Sequence, residues 1–197
     1  MNTEILQKSV NSVVLFCNEE LQQLFGFIEV KTIQKNSYFL KEGQICDSIA
    51  FVNSGVLIYY KLMATGKETT TDFAFTGDWV TDIRSRLLHV PSLLNIKAIE
   101  DCELLVISNE NLNKGYGLLP KLERLGRLQM ERAFLKIAQQ SIDLQTLSAS
   151  QRYDKMLHEY PEIFQKIPLY HIANYLGVAP KSLSRIRKGY FYGSRKR

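Results

Sequence analysis

The stretch Lys166-Ile-Pro-Leu-Tyr-His-Ile-Ala-Asn-Tyr-Leu-Gly-Val-Ala-Pro-Lys-Ser-Leu-Ser-Arg-Ile-Arg-Lys188 reads as two short helices joined by a tight turn. Ile172, Ala173 and Leu176 give the first helix one apolar face, and Leu183 and Ile186 give the second its own at helical spacing. Gly177 falls where the chain must leave the first helix, a position that favours the left-handed region open to glycine. Pro180 suits the first turn of the next helix, where a missing N–H costs nothing. The small Ala173 lets the helices approach. Lys181, Ser182, Arg185 and Lys188 are left on the outer face. They are groups that bind the phosphates and base edges of duplex DNA. A plain helical hairpin with a solvated cationic face is the alternative. The coincidence of small residue, turn glycine, proline start and basic face favours the helix-turn-helix.

Charge distribution points the same way. The protein has 25 Lys and Arg against 20 Asp and Glu. From Lys166 onward it carries Lys166, Lys181, Arg185, Arg187, Lys188, Arg195, Lys196 and Arg197 and no acidic residue, so the preceding part is net acidic. Such an asymmetry fits a polyanionic partner.

With 197 residues and 45% hydrophobic content, the chain can bury one substantial core and a smaller second one. Cys17, Cys46 and Cys102 are odd in number and widely spaced, without the Cys-x-x-Cys or Cys/His pairing of zinc or iron–sulfur sites, and are expected to be reduced and mostly buried thiols. No basic-plus-apolar leader and no apolar run of about 18 residues is visible, which leads to the expectation of a cytoplasmic protein without a membrane partner.

The first half changes rhythm after an opening helical region, residues 1 to about 25, in which Asn18 is expected to cap a segment carrying Glu19 and Glu20 in its first turn. Short strands rich in β-branched and aromatic residues are expected at Ile28–Ile33, Ser37–Leu40, Ser48–Asn53, Val56–Met63, Thr69–Phe75, Trp79–Val80, Asn95–Glu100 and Leu104–Ser108. Gly43, Gly55, Gly66 and Gly77 punctuate them at turn positions. Evenly spaced short strands with glycine turns indicate an antiparallel double-sheet jelly roll.

Helices return with a short segment, Asn111–Tyr116, and a long one from Pro120 to about Leu147. Leu122, Leu125, Met130, Ala133, Phe134, Ile137, Ser141 and Leu144 partly follow a three-four spacing, which suits either burial on the chain's own barrel or a seam with a second copy. Ser148 then looks like the cap of a helix running to about Tyr160. The fold class is therefore α+β: an N-terminal antiparallel jelly roll with flanking helices over residues 1–119, a long linker and dimerisation helix over 120–147, and a C-terminal helix-turn-helix domain over 148–197.

That order of parts resembles the Crp/Fnr family of bacterial transcription regulators, whose sensor is a cyclic-nucleotide-binding-type jelly roll. The resemblance covers nearly the whole chain and rests on Lys41-Glu-Gly43, Val52-Asn-Ser-Gly55, Thr65-Gly-Lys-Glu68, Gly77-Asp78 and above all His171-Ile-Ala-Asn-Tyr-Leu-Gly-Val-Ala-Pro-Lys-Ser-Leu-Ser-Arg185. It implies base reading from Pro180, Lys181 and Arg185, with Arg185 first, because an arginine can donate two parallel hydrogen bonds to guanine. Pro180 stands where many members have a polar reader, so base preference is expected to differ from theirs. Tyr170, Ser182, Ser184 and Lys188 match phosphate-contacting positions. After Lys188 the sequence shows no match to the β-hairpin wing found in many members.

The sensor side departs from the family pattern. Asp82 stands near the position of the ribose-binding glutamate, but Ser92-Leu93 stands where the cyclic phosphate should meet an arginine pair. Without that charged donor a phosphate loses its strongest hydrogen bonds, so cyclic AMP binding of the usual kind is not expected. Arg84 or Arg86 could substitute by turning inward, although arginines on a short surface segment are more often solvated. His89 has no ligand-type neighbour in sequence and reads as a surface residue.

The resemblance further implies a homodimer that places one reading helix per subunit in successive major grooves about 34–36 Å apart, on a palindromic double-stranded DNA operator. RNA polymerase and an unidentified small-molecule effector are the remaining expected partners, and no cofactor or metal is expected. Two rivals belong to other classes. One is a ligand-binding or protein-interaction module without specific DNA binding. The other, a cupin-type enzyme, needs a His and carboxylate cluster on barrel strands, which His89, His158 and His171 do not supply.

Overall fold

The computed structural model describes residues 2–161 and 163–193, with side chains to Lys188. The reading of Arg195, Lys196 and Arg197 as part of the basic end lies outside the described residues. The chain divides into two compact units, one of Met1–Lys61 and Phe73–Phe134, the other of Leu62–Asp72 together with the residues from Leu135 onward.

The first unit opens with two helices, α1 (Glu4–Asn11) and α2 (Asn18–Phe25), where the sequence suggested one region. Asn18 is the first helical residue and not the cap. That role falls to Cys17, whose N–H donates to the Glu20 carboxylate at 2.8 Å. The cap position fixes why Glu19 and Glu20 sit in the first turn, where the helix dipole favours negative charge. Cys17 is exposed, and Cys46 and Cys102 are buried; all three are free thiols.

Eight strands follow: β1 (Glu29–Ile33), β2 (Tyr38–Leu40), β3 (Ser48–Ser54), β4 (Leu57–Leu62), β5 (Glu68–Ala74), β6 (Trp79–Val80), β7 (Asn95–Ala98) and β8 (Cys102–Ser108). They form two four-stranded sheets in the orders β1-β8-β3-β6 and β2-β7-β4-β5, the jelly-roll arrangement read from the glycine-punctuated sequence. β8 is antiparallel to β1, with Glu29 opposite Val106, and to β3, with Phe51 opposite Leu105. Alternation divides these strands between two cores. Ala50, Val52, Cys102 and Leu104 face the space between the sheets, while Phe51, Leu105 and Ile107 face α1, α2 and the helices after the barrel. Because both faces of this sheet are covered, β3 and β8 read as nearly continuous apolar runs, unlike a strand with one wet face.

α3 (Ile83–Leu88) interrupts the barrel between β6 and β7. α4 (Asn109–Leu118) is longer than the sequence suggested, because Ser108 caps it by accepting the Asn111 N–H at 3.1 Å. α5 (Pro120–Thr146) begins by burying Leu122 and Leu125 in the helical core, and its later apolar residues Met130, Phe134, Leu135, Ile137, Ile142 and Leu144 are exposed. Burial of its large apolar residues is thus confined to its beginning.

In the second unit come α6 (Ala149–Glu159), α7 (Ile163–Lys166), α8 (Leu169–Tyr175) and α9 (Pro180–Gly193). Ser148 and Gln151 form a capping box at the start of α6. Tyr153, Met156, Ile163, Ile167, Ile172, Ala173, Leu176 and Leu183 are its buried apolar residues. Among the described residues, no helix is long and apolar enough to cross a membrane.

Candidate nucleic-acid interface

The geometry between α8 and α9 follows from the turn. Gly177 adopts φ +67, and its N–H donates to the Asn174 carbonyl at 3.0 Å while Val178 donates to Ala173 at 3.0 Å, so two carbonyls orphaned at the helix end are satisfied. The Ala179 carbonyl then accepts from Ser182 at 2.9 Å and Leu183 at 3.1 Å, which starts α9 on Pro180. Leu183 is fully buried, as are Ile172 and Ala173. That burial sets the rotation of α9: with Leu183 inward, Lys181, Ser184, Arg185 and Lys188 are exposed.

Of the seven residues assigned to DNA, Tyr170, Pro180, Lys181, Ser184, Arg185 and Lys188 are exposed, and Ser182 is half-buried. Arg185 Nη2 lies 3.4 Å from Ser182 Oγ, a weak contact that leaves the guanidinium open to solvent. Ser184 donates its hydroxyl proton back to the Pro180 carbonyl at 3.1 Å, so its Oγ must rotate before it can donate to a phosphate.

Two basic residues have other employment. Arg187 stands over the Phe164 ring at 4.7 Å, and Phe164 packs on Tyr153 at 5.4 Å between centroids, so this cation holds α7 against α9. Arg152, which the sequence did not single out, donates from Nη1 to the Leu147 carbonyl at 2.7 Å and from Nη2 to the Leu176 carbonyl at 2.9 Å. It ties the ends of α5 and α8 to α6. No periodicity marks such a residue, because its partners are backbone oxygens far away in sequence.

The side of α8 away from α9 is tied to the segment Leu62–Asp72. Thr70 Oγ1 and His171 Nδ1 are 3.2 Å apart, and Asn174 Nδ2 donates to the Glu68 carbonyl at 3.0 Å. Gln140 of α5 donates to the Tyr175 hydroxyl at 3.0 Å. Burial, with the Asp72 carboxylate nearby, pushes the Tyr175 hydroxyl up to about 12, so it stays protonated. At Lys136 burial acts to lower the ammonium's value, but the Asp72 carboxylate, 3.3 Å away, and Tyr160 outweigh it and hold Lys136 above the ordinary lysine range.

The four sensor candidates lie in the first unit, and the structure brings two of them together. Ser92 Oγ donates to Asp82 Oδ2 at 2.7 Å, and Asp82 Oδ1 accepts the Ser85 N–H at 3.1 Å as the cap of α3. Both Asp82 and Ser92 are buried. Arg84 is exposed, its Nη1 3.5 Å from the Pro91 carbonyl, and Arg86 donates from Nη1 to Asn109 Oδ1 at 3.1 Å. His89 is exposed and ends α3 in the left-handed region. Among the described residues, no group of three His, Cys, Asp or Glu side chains is placed to hold a metal ion.

Residues 30–116 match the cyclic nucleotide-binding domain. The anaerobic regulatory protein of Haemophilus influenzae is 29% identical over 85% of this chain and 69% of its own length; that of Pasteurella multocida is 27% identical over 85% of this chain and 65% of its own. The chain thus spans about two thirds of these relatives. The c-di-GMP-responsive global regulator CLP of Xanthomonas campestris shares the fold at TM-score 0.71, with 13% identity over 90% of this chain and 93% of its own. FixK2 of Bradyrhizobium japonicum does so at TM-score 0.71, with 19% identity over 85% and 86%. The chain thus carries a cyclic nucleotide-binding domain match over residues 30–116, is similar over most of its length to anaerobic regulatory proteins, and shares the fold of CLP and FixK2.

Proposed function

We propose that the chain is a sequence-specific DNA-binding transcription regulator that acts as a homodimer on palindromic operators. The observation that carries this reading is the rotation of α9. Its apolar Leu183 is fully buried while Lys181, Arg185 and Lys188 stand in solvent on one helix. Arg185 supplies the bidentate donor for a guanine edge, and Tyr170, Lys181, Ser182, Ser184 and Lys188 hold the helix on phosphates.

The exposed residues of α5 support the dimer. Met130, Phe134 and Ile137 repeat at steps of four and three residues and are 40 to 71% exposed. A second copy of α5 covers such a stripe by knobs-into-holes packing. The regulator does not respond to cyclic AMP in the usual way, a reading supported by the Asp82–Ser92 hydrogen bond and by Arg84 and Arg86 being bonded elsewhere.

Selection of bound duplexes from a random pool tests the proposal. Recovery of a two-fold-related motif whose halves lie about one helical turn apart supports it. A pool that stays unenriched at moderate salt overturns it and favours a module that binds a partner protein.

A further inference from the structure

Within the second unit, α5, α6, the end of α8 and the Thr69–Thr71 strand segment enclose a cavity of about 590 Å³. That is in the range of sites that take a small organic molecule, roughly 300–1,000 Å³. All the lining residues belong to the second unit.

The lining is divided. Leu144, Met156 and Leu176 offer apolar surface, Arg152 and Lys155 bring cationic side chains to the same cavity, and Asp143 and Glu159 bring carboxylates to it. The named charges balance in number but are not paired one to one. Lys155 is paired with Asp143 and lies 4.0 Å from Glu159, and Lys136, also in the lining, is paired with Asp72. Arg152 makes no ion pair among the described residues, because both of its Nη donors go to neutral carbonyl oxygens. A half-buried cation compensated only by dipoles favours an anion nearby, and the apolar residues set what the rest of that anion must be.

We propose that this cavity binds a small aliphatic carboxylate, its chain against Leu144, Met156 and Leu176 and its anionic end toward Arg152. The site stands whether or not α9 reads DNA, and it is tested without DNA.

Isothermal titration of the full chain with octanoate, and with 1-octanol as the neutral probe of equal chain length, decides the matter. Octanoate is expected to bind about tenfold or more tightly than octanol, the signature of charge recognition added to an apolar contact. Thr69→Trp and, independently, Leu144→Trp place an indole in the cavity and should each weaken octanoate about tenfold or more. Thr69 is only half-buried, so that variant keeps the packing of the unit intact. Octanol binding as tightly as octanoate, octanoate failing to bind, or unchanged octanoate affinity in folded Thr69→Trp and Leu144→Trp proteins would each overturn the proposal.

Discussion

Ser92 donates its hydroxyl to Asp82 Oδ2 over 2.7 Å, and neither residue is more than 8% exposed. The other Asp82 oxygen caps α3 through the Ser85 N–H. Both oxygens of the carboxylate that resemblance places at the ribose position are thus engaged by the chain itself, and the neighbouring position offers a hydroxyl in place of a guanidinium.

Asp82→Ala removes the cap and leaves the Ser92 hydroxyl with fewer partners, a loss of about 2 kcal/mol. Urea unfolding followed by Trp79 fluorescence should show the midpoint fall. Asp82→Asn keeps an acceptor for the α3 amide and should lose less. Equal midpoints for wild type and Asp82→Ala would show that the pair carries no stability.

Gly55→Ala should cost about 2 kcal/mol or more, because Gly55 sits at φ +102 and an added Cβ would fall 2.5 Å from Cys102 Sγ and 2.8 Å from the Asp101 carbonyl. Cys102→Ala in the same chain relieves only the side-chain clash. The double variant should therefore stay less stable than Cys102→Ala alone.

The barrel was legible because its signals are local. Gly55, Gly66 and Gly77 all take positive φ, and the β-branched runs between them all became strands. The turn of the reading element was legible for the same reason, Gly177 and Pro180 being backbone-determined positions. Asn18 misled because it resembles a cap by residue type, whereas the hydrogen bond of Glu20 with the Cys17 N–H places the helix start one residue earlier. α7 and the role of Arg152 left no local trace: a four-residue helix has no period to read, and Arg152 is defined by Leu147 and Leu176 carbonyls.

Arg152→Met deprives two helix-end carbonyls of charged donors, which should destabilise the second unit by about 3 kcal/mol. Amide hydrogen exchange in α8 should rise more than in β3 or β8. Uniform protection across the chain would contradict the assignment of Arg152 as the tie between α5, α6 and α8.

Asp143 is held below the ordinary carboxylate range by hydrogen bonds from Lys155 and then from Gln139, the latter at 2.8 Å. A carboxyl whose folded value lies below its unfolded one stabilises fully above about pH 4, and the contribution disappears as the pH falls through the lower, folded value. Thermal midpoints measured from pH 5 to pH 3 should therefore converge for wild type and Asp143→Asn. A constant difference across that range would show that the carboxylate form of Asp143 contributes nothing.

Arg185→Ala and Lys188→Ala should separate reading from anchoring. Loss of Arg185 is expected to remove about 1–3 kcal/mol from binding to the selected duplex and little from binding to random DNA. Loss of Lys188 should weaken both and lower the salt slope by about one unit. Anisotropy titrations at several salt concentrations make the comparison, and equal losses on both duplexes for Arg185→Ala would contradict base reading.

The central claim is that the outward face of α9 distinguishes one DNA sequence from another. Its most direct measurement is the ratio of affinities of the wild-type chain for the selected duplex and for a scrambled duplex of the same composition, at about 0.15 M salt. A ratio of about a thousand or more is predicted. Equal affinities would contradict it.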